Sequence, residues 1–140
     1  MKQKTVNSLN SILIEGNLVR DAELRDPSEG MRPACNFVIA SSRYVERKHG
    51  LIKEVSFFNI EAWDNLAESA GRHGKKGRGV KIVGRLKQLR WNDVRGKCHS
   101  KISIEAEHIE FRPNAESGDE YPEEMVRACA EESAAAGDSL

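Results

Sequence analysis

The alternation of apolar and polar residues over short stretches is the feature that most constrains how this chain folds. Successive side chains of a β-strand point to opposite faces, so a strand with one buried face carries an apolar residue at every second position. Stretches with this period are SILIEGNLV (11–19), ACNFVIASSRY (34–44), EVSFFNIEAW (54–63), GVKIVGRL (79–86) and KISIEAEHIEF (101–111). The pattern predicts five β-strands.

One parity of four of these strands holds the residues expected in the core. They are Cys35, Phe37, Ile39, Phe58, Ile60, Ala62, Val80, Ile82, Leu86, Ile102 and Ile104. The first strand is expected to stop or bend at Gly16-Asn17, and DPSEG (26–30) has the composition of a turn. Gly84, in the middle of the fourth strand, favours the sharp coiling that a small barrel requires.

A short helix is predicted between the third and fourth strands. Asp64 is the expected N-cap, Leu66, Ala67 and Ala70 form an apolar stripe, and Gly71 or Gly74 ends the helix. Three strands, a helix and two further strands is the order of a five-stranded Greek-key barrel of the OB type. A β-sandwich fits less well, because five strands with an inserted helix are too few to form two sheets.

Charge divides the 140 residues into a basic body and an acidic tail. Residues 1–111 hold 20 Lys and Arg against 14 Asp and Glu, whereas residues 112–140 hold 2 against 8. We therefore expect a flexible N-terminus (1–10), a folded domain (11–112) and an acidic, low-complexity, largely disordered tail (113–140). Within the tail, PEEMVRACAEESAAA (122–136) is compatible with a marginal helix.

Several classes of function lack support in the sequence. The three cysteines have no CxxC spacing, which favours reduced thiols and a cytoplasmic location, and no apolar run is long enough to span a membrane. The four histidines lack metal-ligand spacing, and GRHGKKGRG (71–79) lacks the Lys-Ser/Thr ending of a phosphate loop. No nucleophile motif is present. We expect no metal, no cofactor and no catalysis.

Four aromatic residues have the parity opposite to the core. They are Tyr44, Phe57, Trp63 and Trp91. Cations surround two of them in the sequence, namely Arg43, Arg47 and Lys48 near Tyr44, and Lys87, Arg90, Arg95 and Lys97 near Trp91. Each aromatic taken alone is equally compatible with a contact to another subunit, but protein interfaces exclude Lys from their centres. Rings for unpaired bases and cations for phosphates together favour a single-stranded nucleic acid as the ligand.

The chain also resembles the bacterial single-stranded DNA-binding proteins, from about Ser11 to Arg112. The resemblance is carried by ILIEGNLVRDAELR (12–25), ACNFVIASSRY (34–44), WDNLAESAGRHGKKG (63–77) and VGRLKQLRW (83–91). It implies base stacking on Tyr44, Phe57, Trp63 and Trp91, and phosphate contacts that include Lys76 and Arg90. It also implies a homotetramer and roles in replication, repair and recombination in the nucleoid.

Two departures from that family concern its contacts with other proteins. Phe58 stands where many members have His near a subunit contact, and the chain ends EESAAAGDSL rather than in acids capped by hydrophobic residues. DEYPEEM (119–125) is a candidate substitute motif for replication and repair proteins. Its proposed contact residues are Asp119, Glu120, Tyr121, Glu123, Glu124 and Met125.

Other interpretations of the chain remain open at this stage. A merely solubilising tail is one alternative to a partner-binding tail. A primosomal replication protein of the same fold, acting mainly through protein contacts, is an alternative to a DNA-binding protein. An enzyme on an OB barrel is disfavoured by the missing catalytic residues.

Overall fold

Long β-strands dominate the computed structural model, which describes residues 5–25 and 31–131. The strands are β1 (Ile12–Leu18), β2 (Glu23–Arg25), β3 (Ala34–Arg47), β4 (Gly50–Trp63), β5 (Arg78–Asn92) and β6 (Cys98–Glu116). The helices are α1 (Asp64–His73) and α2 (Glu123–Glu131). The predicted turn at 26–30 and the end of the tail at 132–140 lie outside the described residues.

The five long strands form a closed barrel. With the short β2 included, the order of the six strands in the sheet is β1-β5-β6-β4-β3-β2, and β1 also pairs with β3, which closes the sheet on itself. The predicted five-stranded OB barrel, with a short helix between its third and fourth long strands, is confirmed. The additional strand β2 lies at the edge of β3 and was not predicted, because three residues are too few to display a period of two.

The barrel closes where β1 passes from one neighbour to the other. Asn17 is paired with Gly79 of β5 and also with Ala40 of β3. β1 therefore continues through Gly16-Asn17 instead of stopping there. A Cβ atom on Gly16 would lie 2.7 Å from the backbone oxygen of Ala40, so the close approach of β1 to β3 requires glycine at this position.

A register shift bends the β5–β6 ladder at Gly84. Val83 pairs with His108, whereas Gly84 pairs with Ala106, so Glu107 is an extra residue on β6. Such a bulge increases the local twist of a strand pair. A Cβ atom on Gly84 would collide with the backbone oxygen of Glu105, which explains the glycine in the middle of the strand.

Most of the predicted core residues lie inside the barrel. Cys35, Phe37, Ile39, Ile60, Ala62, Val80, Ile82 and Ile104 are buried, and Phe58 packs against them while partly buried. Burial raises the pKa of the Cys35 thiol to about 11, as expected for a core cysteine without a reactive role.

The prediction that Leu86 and Ile102 belong to the core is wrong. Leu86 is 44% exposed and Ile102 is 64% exposed. β4 pairs with β6 only at Ile60↔Ile104 and Glu61↔Glu105, so β5 and β6 continue beyond the barrel as a two-stranded arm (86–102). These side chains have the parity of the core, but no second layer within the described ranges covers them there.

The helix α1 occupies the predicted position with a different start. Asp64 is its first residue, the cap position falls to Trp63, and the Asp64 carboxylate accepts hydrogen bonds from Arg32. The prediction of Asp64 as N-cap is therefore wrong. Ala67 and Ala70 are buried as expected, and Gly74 rather than Gly71 follows the last turn.

The described residues contain neither a membrane-spanning helix nor a metal-binding group. No helix in the described ranges is long and apolar enough to cross a bilayer. No group of three or more His, Cys, Asp or Glu side chains in that part of the chain is placed to hold a metal ion. Two of the histidines pack on aromatic rings instead, His73 on Phe111 and His99 on Trp91.

Replacing Gly84 by Ala is expected to destabilise the barrel. The added methyl group would meet backbone atoms of Glu105 and Ala106, which cannot move without disturbing the bulge. Overpacking of this kind costs about 1–3 kcal/mol in the free energy of unfolding. Urea-induced unfolding at one protein concentration measures it, with Gly118→Ala as the control because nothing lies within 4 Å of that position. Equal stability of the two variants would contradict the assignment.

Candidate nucleic-acid interface

A groove runs across the outer face of the barrel. It consists of two adjoining cavities of about 220 and 350 Å³, which share Asn36, Asn59 and Lys101. Trp63, Lys87 and Leu89 line the larger cavity, and Arg20 and Glu23 line the smaller one. Because alternate residues of β4 point outward, Phe57, Asn59, Glu61 and Trp63 all belong to this face.

Trp63 lies at the end of the groove among cations. The guanidinium carbons of Arg32 and Arg25 lie 5.0 and 5.8 Å from the indole centroid, and Nζ of Lys87 lies 5.6 Å from it. Asp64 orients Arg32 through a 2.7 Å contact, and this hydrogen bond holds the pKa of the Asp64 carboxyl below its usual range. The structure thus joins one predicted stacking residue to one predicted phosphate-binding residue, Lys87.

The floor of the groove is polar. Glu61 and Asn59 are buried there, and the hydroxyl of Ser103 donates a 2.7 Å hydrogen bond to the Glu61 carboxylate. The indole Nε1 of Trp63 is buried and has no hydrogen-bond partner among the described residues. A ligand in the groove would therefore contact both the polar groups of Asn59 and Glu61 and the aromatic ring of Trp63.

Tyr44 and Phe57 lie on the same outward face of β3 and β4. Tyr44 is 65% exposed on the arm formed by residues 43–54, directly opposite Lys53 in the strand register. Phe57 is half-buried and lies nearer the barrel, paired with Ala40. Residues directly opposite each other on neighbouring strands share a face, so Lys53 is a further cation beside Tyr44.

The predicted cations of the β3–β4 arm lie elsewhere. Arg43 is paired with Glu54, and Arg47 forms a 3.6 Å ion pair with the same Glu54. These three residues share the face opposite to Tyr44. Lys48 is exposed in the turn of the arm. The structure therefore does not bring Arg43 and Arg47 together with the aromatic ring.

Trp91 lies on the β5–β6 arm. It is 38% exposed, and its ring stacks on His99 with centroids 5.7 Å apart and an interplanar angle of 22°. Lys87 shares this face, four residues before Trp91 on the same strand. Arg90 bonds to Gln88 at 3.1 Å on the other face, and Arg95 and Lys97 are exposed in the turn at the tip.

The first part of the tail (117–131), which we call the tail segment, folds back onto the aromatic face. The ring of Tyr121 meets Phe57 edge-on, with centroids 5.2 Å apart and planes at 87°. Val126 of α2 is buried in a small apolar cluster with Val38 and Ala40 of β3. The tail segment therefore covers one of the predicted stacking residues.

Acidic residues of the tail segment contact cations of the body. The ion pairs are Lys53–Asp119 (3.0 Å), Lys76–Glu120 (2.8 Å) and Arg20–Glu123 (3.7 Å). The hydrogen bond from Lys53 holds the pKa of the Asp119 carboxyl below its usual range. Glu124 and Met125 are exposed. Four of the six residues proposed for partner binding are thus engaged within the chain.

Sequence reasoning missed several residues of this face. Arg25, Arg32 and Lys101 contribute cations to the groove, and Lys53 lies beside Tyr44. The outward parity of Lys53 and Lys101 could have identified these two. Arg25 comes from a three-residue strand and Arg32 from a connection, where no period marks a face.

Comparison with known proteins identifies the family to which the barrel is similar. Residues 9–112 match the single-strand binding protein family. A single-stranded DNA-binding protein of Helicobacter hepaticus is 34% identical over 81% of this chain and 66% of its own length. Single-stranded DNA-binding protein 1 of Synechocystis is 35% identical over 84% of this chain and 99% of its own length. The match to a Treponema pallidum relative covers only 57% of that protein.

Solved structures share the fold. The Plasmodium falciparum single-stranded DNA-binding protein, solved in complex with single-stranded DNA, superposes with a TM-score of 0.67 at 18% identity, over 78% of this chain and 99% of that one. A small single-stranded DNA-binding protein from Streptomyces coelicolor gives 0.58 at 24% identity, over 74% of this chain and 94% of that one. The family match spans most of the barrel, and the curated relatives extend over most of this chain; the protein belongs to the single-strand binding protein family.

Proposed function

We propose that this protein binds single-stranded DNA with little sequence preference. Bases stack on Tyr44, Phe57, Trp63 and Trp91, and Lys and Arg side chains contact the phosphates. The observation that carries the proposal is the placement of Arg25, Arg32 and Lys87 around Trp63 at the groove. Burying three cations against a protein partner would be costly, whereas a nucleic acid supplies a phosphate for each base it stacks.

Protection and organisation of single strands during replication, repair and recombination is the cellular role we propose. The curated relatives are named for single-stranded DNA binding, and the acidic tail offers a tethered segment for partner proteins. The tail segment contacts Phe57 and cations of the body in the structure. DNA has to displace the tail segment before it can contact these residues, and a partner protein has to displace it before it can contact the acidic residues of the tail.

We further propose that the chain assembles as a homotetramer. Leu86, Ile102 and Leu13 are large apolar side chains exposed on the described part of the chain, and Ile102 is a diagonal neighbour of Leu86 across β5 and β6. Adjoining exposed apolar side chains such as Leu86 and Ile102 favour a contact between copies, because contiguous apolar surface marks interaction sites. Light scattering with and without oligo-dT tests the assembly, since a dimer that ignores oligo-dT would instead support a protein-interaction module.

Single strands are expected to bind far better than the same sequence as duplex. Duplex DNA hides the base faces on which stacking depends, and base identity should have little effect. The logarithm of affinity should fall linearly with the logarithm of salt concentration, by about 0.7 for each phosphate neutralised. Fluorescence anisotropy with labelled oligonucleotides measures both. Equal binding to duplex, or an affinity independent of salt, would refute the proposal.

Trp91→Ala is expected to weaken binding by about 1–3 kcal/mol, because one stacking platform is lost. The free energy of unfolding should change much less than the roughly 3–5 kcal/mol typical of a core Trp→Ala, since the indole lies outside the core. Val94→Ala is the matched control, a fully exposed apolar residue on the same arm. A badly destabilised Trp91→Ala variant with unchanged affinity would place the indole in a structural role.

Removal of residues 118–140 is expected to raise the affinity for oligo-dT at low salt. The deletion frees Phe57, Lys53, Lys76 and Arg20 from their contacts with the tail segment, and salt screening should reduce the gain. Circular dichroism checks that the barrel remains folded. Full-length Tyr121→Ala, which lacks the contact with Phe57 but keeps every acidic residue, separates the ring contact from the charges. Unchanged affinity in both variants would show that the tail segment does not compete with DNA.

A further inference from the structure

His99 is a buried side chain on an arm that is otherwise open to solvent. It is only 3% exposed, although the neighbouring Trp91 and Cys98 are exposed. Trp91 and His99 are directly paired in the β5–β6 register, so both side chains project from the same face of the arm. The indole covers the imidazole in a stacked arrangement. One face of the Trp91 ring is thereby occupied within the protein.

Asp93 fixes the imidazole from the turn. Its Oδ2 lies 2.8 Å from Nε2 of His99, while its Oδ1 accepts hydrogen bonds from the backbone N–H groups of Arg95 (2.8 Å) and Lys97 (2.9 Å). The hydrogen bond from His99, followed by that from Lys97, keeps the pKa of the Asp93 carboxyl below its usual range. The ionised carboxylate accepts a hydrogen bond, so Nε2 of His99 carries the proton and donates it.

Backbone hydrogen bonds of Asp93 also close the turn. The N–H of Asp93 donates to the carbonyl of Lys97 at 2.9 Å, and the N–H of Gly96 donates to the carbonyl of Asp93 at 3.0 Å. Gly96 has a φ of 79°, a left-handed conformation suited to glycine. The carboxylate that holds His99 is therefore attached to a turn with little freedom, and the orientation of the imidazole follows from that of the turn.

We propose that His99 is a positioning residue for DNA binding, supporting the inner face of the Trp91 indole so that its outer face is presented to a base. The proposal rests on the proposed function, in which Trp91 is a stacking platform. An indole on a two-stranded arm without such support would have to be ordered when DNA binds. Ordering one side chain on binding lowers affinity about 2- to 12-fold. His99 and Asp93 order Trp91 in advance.

A double-mutant cycle tests whether His99 acts through Trp91. Binding of labelled oligo-dT is measured for the full-length protein, His99→Ala, Trp91→Ala and the double variant at one salt concentration. His99→Ala is expected to weaken binding about 2- to 12-fold when Trp91 is present. In the Trp91→Ala background the same change should have no further effect.

A conservative variant and a spectroscopic readout separate positioning from a general effect on the arm. His99→Phe keeps a flat ring below the indole and is expected to bind more tightly than His99→Ala. In a Trp63→Phe background Trp91 is the one remaining tryptophan. Its steady-state anisotropy without DNA, with excitation selective for tryptophan, should fall on His99→Ala and recover on His99→Phe. Unfolding in urea identifies any variant that is destabilised. If His99→Ala is destabilised, the affinity and anisotropy of His99→Phe are compared with those of the unaltered protein instead.

Three results would overturn the inference. Equal losses for His99→Ala with and without Trp91 would mean that His99 maintains the turn rather than the indole. Full affinity of His99→Ala alongside weakened Trp91→Ala would leave the proposed function standing and refute positioning by His99. Full affinity of Trp91→Ala would refute both, because Trp91 would then not be a stacking platform.

Discussion

The close approach of β1 to β3 at Gly16 is the constraint on which the rest of the molecule depends. The next residue, Asn17, pairs with both neighbours of β1, and a side chain at Gly16 would separate the backbones of β1 and β3. A closed barrel buries its inner side chains. Strands longer than the barrel wall extend beyond it, and there each strand pairs with one neighbour and forms a two-stranded arm. The arms that carry Tyr44 and Trp91 are such extensions, so their position outside the core follows from the closure.

The alternation of apolar and polar residues predicted the strands of the barrel, because a strand with one buried face needs an apolar residue at every second position. The same alternation assigned Tyr44, Phe57, Trp63 and Trp91 to the outer face. It failed for Leu86 and Ile102, because parity identifies the face of a strand but not whether another layer covers that face. The contact of Lys53 with Asp119 joins residues 66 positions apart, and no local pattern encodes such a pair.

The tail segment has two chemical features in common with a single strand of DNA. Both combine negative charge with a flat ring, carried in the tail segment by Asp119, Glu120 and Tyr121. Water screens exposed ion pairs, so the charges alone hold the segment weakly. The burial of Val126 against Val38 and Ala40 adds an apolar contact that salt does not screen. Under the proposed function, a strand of DNA therefore has to replace both kinds of contact to expose Phe57 fully.

The two tryptophans show different ways of holding an indole at a surface. Trp63 lies on the outer surface of the barrel, where its Nε1 is buried. The cations Arg25, Arg32 and Lys87 lie around its ring. Trp91 lies outside the barrel, since among the described strands only β6 pairs with β5 at that point. Its support has to come from within the arm, which is where His99 and Asp93 lie. An indole far from the barrel thus requires a local anchor, and the turn at Asp93 supplies it.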